Sequence, residues 1–141
     1  MEKQQILIVD DEEVNRAILH EMFRNNEAYE LLEAANGQEA IIQIENNHNL
    51  ILILLDVVMP IMDGFKVLEY MREHDLLEKI PVILITSEDA LDTDDQAYAY
   101  GVADVIHKPF YPHIVRRRSR NIIELYQSRF NMERRLKEQE E

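Results

Sequence analysis

The 141-residue sequence contains no cysteine and no tryptophan, and it has only three glycines and four prolines. Without cysteine there is no disulfide, no thiolate metal ligand and no cysteine nucleophile. The compartment is therefore not set by cysteine usage, and a reducing cytosol is compatible. Three scattered glycines cannot form a G-x-G-x-x-G phosphate loop, which removes the dinucleotide-binding fingerprint. Long hydrophobic runs are missing too. The longest, Leu50 to Leu55, falls far short of the about 20 apolar residues that span a bilayer. The first residues, MEKQQ, are polar and do not resemble a secretory signal.

Positive charge is also scarce. The formal net charge is −13 at pH 7, which argues against direct nucleic-acid binding by the folded body. The charge is uneven along the chain. Residues 1–110 hold 7 Lys+Arg against 23 Asp+Glu, a balance of −16, whereas residues 111–141 hold 8 against 5, a balance of +3. An acidic body is followed by a mildly basic tail.

What is present suits one globular domain: 46% apolar and 30% charged residues over a length that buries a sizeable core. Five short apolar runs punctuate the chain, at Gln5 to Val9, Tyr29 to Ala34, Leu50 to Leu55, Pro81 to Thr86 and Asp104 to His107. The first, third and fourth are continuous and branched, as in strands covered on both faces. The second is partly polar and reads as an edge. Helical periods fill the gaps: Val14 to Asn25, Gln38 to Asn46, Phe65 to His74, Ala90 to Tyr100, and a long stretch from His113. The first presents Val14, Ala17, Ile18, Met22 and Phe23 as its apolar stripe. Strict alternation of strand and helix predicts an α/β domain with a parallel sheet and right-handed crossovers. Gly37, Gly64 and Gly101 sit at boundaries, and Gly101 follows a helix where a left-handed C-cap is usual.

Open parallel sheets carry their sites outside the carboxyl ends of the strands. There the first strand delivers Asp10 and Asp11, the third Asp56, the fourth Thr86 and Ser87, and the fifth Lys108. Three carboxylates in one crevice repel each other unless a divalent cation joins them. Mg²⁺ favours such hard oxygen ligands together with phosphate oxygens. An Asp can act as the nucleophile of an aspartyl-phosphate, and a Lys and a hydroxyl can neutralise phosphoryl oxygens. The alternative for Asp10 and Asp11 is helix capping. Asp92, Asp94 and Asp95 read as a solvated helix start, and the five histidines as structural or solvated.

The motifs VDDEEVNR, LLDVVMPIMDGF, ILITS and HKPF, in this order, resemble the receiver domain of two-component response regulators over about residues 4 to 126. The resemblance implies a flavodoxin-like (βα)5 three-layer sandwich of strand order 2-1-3-4-5 with an extended last helix. It implies that Asp56 is the phospho-acceptor, charged by a sensor histidine kinase or a phosphotransfer protein. Asp10, Asp11, Asp56 and the backbone carbonyl of Val58 would hold Mg²⁺. Thr86, with Ser87, would bind the phosphoryl group and act as the switch hydroxyl, and Lys108 would pair with it. Pro60 and Gly64 would shape the loop after Asp56, and Pro109 would follow a cis peptide bond. One position departs from the pattern: receivers usually carry an aromatic residue three before the lysine, and Val105 stands there. The implied protein is a cytoplasmic signalling switch that assists its own phosphorylation and has no metabolic substrate. A Mg²⁺-dependent phosphohydrolase and a scaffold that does not switch are the rivals.

The division expected is a receiver core over 1–112 and a fifth helix, extended into a linker or coiled coil, over 113–141. The tail should pack through Ile114, Val115, Ile122, Ile123 and Leu125 and then project. An imperfect heptad runs through Val115, Arg118, Ile122, Leu125, Arg129, Met132 and Leu136. It suggests a homodimer through this helix, or a path to an output domain beyond this chain.

Overall fold

A computed structural model describes residues 3–24, 27–87 and 91–140. The elements follow in strict alternation: β1 (Gln4–Val9), α1 (Glu13–Met22), β2 (Tyr29–Ala34), α2 (Gly37–Asn46), β3 (Leu50–Asp56), α3 (Gly64–Glu73), β4 (Val82–Thr86), α4 (Leu91–Tyr100), β5 (Asp104–His107) and α5 (Pro112–Glu140). The helix ends expected at Asn25 and Ala90 lie outside the described residues.

All strands pair in parallel in the order β2-β1-β3-β4-β5. The chemistry of the strands fits their places. Ile6 to Val9, Leu52 to Leu55 and Val82 to Ile85 are buried because both sheet faces are covered. Half-polar β2 lies at one edge and four-residue β5 at the other. Alternate side chains divide between two cores. Leu7, Val9, Ile53, Leu55, Leu84 and Val105 face α2, α3 and α4 through Ile44, Val67, Leu68, Met71 and Ala97. Ile6, Ile8, Leu52, Leu54, Ile83 and Ile106 face α1 and α5 through Leu19, Phe23, Val115 and Ile123. The result is a three-layer α/β/α sandwich.

Two helix faces differ from the sequence reading. In α1 the buried residue is Leu19, joined by Phe23 at the C-cap, with Met22 partly covered, while Val14 and Ile18 stand 69% and 40% exposed. This helix carries apolar residues around more than half its girth, so period alone permits either face. Arg16 settles the orientation: its Nη1 donates to the Asp10 carbonyl at 2.6 Å and its Nε to Glu33 at 3.2 Å. In α5, Val115, Ser119 and Ile123 form the buried line, with Ile114 and Ile122 partly covered. Leu125, expected to pack, is 60% exposed. It falls more than about 100° round the helix from that line. From residue 128 to 139 every α5 side chain is exposed, as expected for a helix that outruns the sheet. Near that junction, Arg129 Nη2 donates to the Glu78 carbonyl at 2.9 Å and ties the helix to the α3–β4 connection.

Candidate functional site

Strand order reverses between β1 and β3, and the crevice at that reversal collects the acids. Asp10 follows β1 and Asp56 ends β3; both are buried, at 1% and 4% exposure. Asp11 beside them is exposed. One carboxylate oxygen from each of Asp10, Asp11 and Asp56 lies within 4.8 Å of the others. The Asp10 carboxylate is fixed at both oxygens: Oδ1 accepts from the Glu12 backbone N–H at 2.9 Å, and Oδ2 from Lys108 Nζ at 3.1 Å. The first of these contacts shapes the turn that leads into α1 without capping the helix. The N-cap of α1 is Glu12, and the second Asp10 oxygen points into the crevice.

Lys108 reaches in from the end of β5. Its Nζ lies 3.4 Å from Asp56 Oδ2 as well as 3.1 Å from Asp10, and its side chain is 16% exposed. One ammonium thus serves two buried carboxylates. Burial pushes the Asp56 carboxyl up from an ordinary 3.8 to about 6; Lys108 draws it down, and Asp10 and Asp11 raise it again. Burial opposes the Lys108 charge, but Asp56 and Asp10 outweigh it and hold the ammonium above its ordinary value. The crevice keeps an excess of negative charge at neutral pH. Among the described residues its clustered side-chain ligand atoms are the carboxylate oxygens of Asp10, Asp11 and Asp56, a set that suits a hard divalent cation.

The loop after β3 is built by close backbone approach. Gly64 N–H donates to the Val57 carbonyl at 2.8 Å, and Gly37 N–H to the Met62 carbonyl at 2.9 Å. A Cβ on Gly64 would meet the Asp56 carbonyl oxygen, so only glycine fits there. Asp63 caps α3 by accepting from Lys66 N–H at 3.0 Å. Ile61, in the same loop, takes φ 68, a strained value for a β-branched residue. Val58 is 52% exposed, and Pro60 lies exposed with its carbonyl accepting from Met62 N–H at 2.7 Å. Thr86 is fully buried at the end of β4, and its carbonyl accepts from Lys108 N–H at 2.8 Å. Ser87 follows it, exposed. The Lys108–Pro109 peptide is cis.

The crevice therefore gathers Asp10, Asp11, Asp56 and Lys108 into direct contact or close approach, with Thr86 and the Val58 loop at its rim. A family model for the response regulator receiver domain matches residues 6–120. The chain belongs to that family. The transcriptional regulatory protein SrrA of Staphylococcus aureus is 38% identical over 125 residues, which are 88% of this chain and 49% of SrrA. The receiver thus spans about half the length of the curated relatives it matches. A CheY-like receiver domain protein from Methanospirillum hungatei JF-1 superposes with a TM-score of 0.82 at 25% identity, over 91% of this chain and 99% of that one. A probable two-component response regulator/GGDEF domain protein gives a TM-score of 0.80 at 24% identity, over 88% of this chain and 50% of that one. At that identity the likeness shows the fold alone.

Some functional detail escaped the sequence. Arg16 closes the motif VDDEEVNR, yet the sequence assigns it no role, and Gly37 marks a boundary without showing its contact to the loop after β3. The sequence offers His107 as structural or solvated and Asp94 as part of a solvated helix start, yet His107 Nε2 lies 2.9 Å from Asp94 Oδ2. Val105 is buried at 7% exposure against the α4 side of the core. No helix among the described residues is long and apolar enough to cross a membrane.

Proposed function

We propose that Asp56 accepts a phosphoryl group from a phosphohistidine of a sensor kinase or phosphotransfer protein. A carboxylate oxygen of Asp56 attacks phosphorus, the P–N bond breaks, and the electron pair leaves with the imidazole. The observation that carries this reading is the single ammonium of Lys108 shared between two buried carboxylates at the sheet's reversal point. A lone Asp56 would pass for a turn residue; a buried, charged, incompletely neutralised set would not.

Asp10, Asp11, Asp56 and the Val58 carbonyl would hold Mg²⁺, which supplies charge neutralisation for the carboxylates and the incoming oxygens. Lys108 pairs with one phosphoryl oxygen, and the Thr86 hydroxyl donates to another, with Ser87 beside it. Pro60, Gly64 and the cis bond before Pro109 set the loop shapes around them. The domain assists its own phosphorylation and dephosphorylation and then shifts between two conformational populations. The receiver core occupies 1–112, and 113–141 is the helical connection. Exposed Leu125, Met132 and Leu136, with 60%, 65% and 56% exposure, support a homodimer seam there or a junction with an output domain. The place of action is the cytoplasm, and the acidic body has no direct nucleic-acid role.

Intact mass after incubation with acetyl phosphate and Mg²⁺ tests the proposal. One phosphoryl adduct is expected on the wild type and none on Asp56→Ala. Equal modification of both proteins, or hydrolysis of generic phosphate esters at enzymatic rates, would overturn it.

A further inference from the structure

Val105 leaves β5 without the ring that receivers usually place there. Successive strand residues point to opposite faces, so Val105 and His107 share one. Val105 packs in the core layer of α4 with Ala97. His107 therefore faces α4 from one step nearer the strand end, and its Nε2 meets Asp94 Oδ2 at 2.9 Å. The Asp94 Oδ1 atom is buried and finds no hydrogen-bond partner among the described residues. Among the described residues the His107 contact is the hydrogen bond that the Asp94 side chain makes.

The other side of His107 leads straight to the phosphorylation crevice. His107 is the Cα partner of Thr86 in the β4–β5 ladder. Its chain neighbour Lys108 donates from its backbone N–H to the Thr86 carbonyl and from Nζ to Asp10 and Asp56. Phosphorylation replaces the single charge of the Asp56 carboxylate by a phosphoryl group of about −2, a net gain of about one negative charge beside Lys108. That charge competes with Asp10 for the ammonium and pulls on the strand end that carries His107.

We propose that His107 is a positioning residue that couples α4 to the acceptor crevice, its imidazole on Asp94 standing in for the ring missing at Val105. The proposal rests on Asp56 being the phospho-acceptor. The contact between β5 and α4 is remade when Asp56 is phosphorylated, and α4 shifts with it. The competing account is a part-exposed hydrogen bond with no consequence beyond a small stabilisation.

Hydrogen–deuterium exchange of α4 amides decides between them, with and without acetyl phosphate and Mg²⁺, with intact mass read on the same samples. The wild type should change α4 exchange on phosphorylation. His107→Thr should be phosphorylated to the same extent, with the α4 response reduced about threefold or more. His107→Gln keeps an N–H donor within reach of Asp94 and should restore most of the response. Should His107→Thr not fold, Asp94→Ala removes the same contact from the helix side. An α4 response in His107→Thr equal to wild type overturns the proposal, as does equal loss in Thr and Gln variants. An adduct on the wild type with no α4 change overturns this proposal alone. No adduct on the wild type overturns the phospho-acceptor role of Asp56 and this proposal with it.

Discussion

Replacing Asp56 by Asn removes a charge that the fold holds at a cost. Burial lifts the Asp56 carboxyl from 3.8 to about 6, even with Lys108 opposing the shift. Between those values the native state binds more protons than the unfolded chain. Stability therefore falls as pH rises through this window, and the loss is complete above about pH 6. At 1.36 kcal/mol per pKa unit the loss is about 3 kcal/mol at pH 7 and roughly half of that at pH 5. The Asn variant keeps the shape and drops the charge, while Lys108 retains Asp10 as its partner. It should exceed the wild type in stability by roughly those amounts, and the gain should shrink toward nothing near pH 4. Urea unfolding in chelator at pH 5, 6 and 7 reads this directly, provided the urea dependence of ΔG is the same for both proteins. A variant no more stable than wild type at pH 7, or a gain that ignores pH, refutes the reasoning.

Lys108→Ala leaves Asp10 and Asp56 buried together without their cation. It should cost about 2–4 kcal/mol in urea unfolding at pH 7 and slow the reaction with acetyl phosphate, followed by intact mass. Gly64→Ala places a Cβ against the Asp56 carbonyl oxygen and 3.0 Å from Val57 Cα, both backbone. A cost of about 1–3 kcal/mol is expected, with slower phosphorylation. Mg²⁺ at about 100 times its dissociation constant should stabilise the wild type by about 2.7 kcal/mol in thermal unfolding. Asp11→Ala should lose most of that increment while changing little in chelator, because Asp11 is exposed.

The sheet and the crevice were legible because their causes are local. Ile6 to Val9, Leu52 to Leu55 and Val82 to Ile85 are unbroken branched runs, and such runs demand cover on both faces. Asp10, Asp56 and Lys108 then fall at strand ends by counting alone. Helix faces were less legible, since Val14 and Ile18 satisfy the same period as Leu19 and Phe23. Only the tertiary anchors of Arg16 choose between them. Leu125 misleads for a similar reason: it lies well round α5 from the line of Val115, Ser119 and Ile123, although Tyr126 and Gln127 beside it are still partly covered. The His107–Asp94 contact joins residues 13 apart across a strand and a helix, and nothing in either local pattern announces it. Gly37, taken as a boundary signal, is the first residue of α2, with Asn36 as its cap, and it holds the loop beyond Asp56 through Met62.

The central claim is that Asp56 carries the phosphoryl group. Peptide-resolved mass spectrometry after acetyl phosphate and Mg²⁺, with fragmentation to the residue, tests it most directly. The account predicts one modified residue, Asp56, and an unmodified Asp10–Asp11 peptide. A phosphoryl group on Asp10, on Asp11 or on any histidine, with Asp56 unmodified, would contradict it.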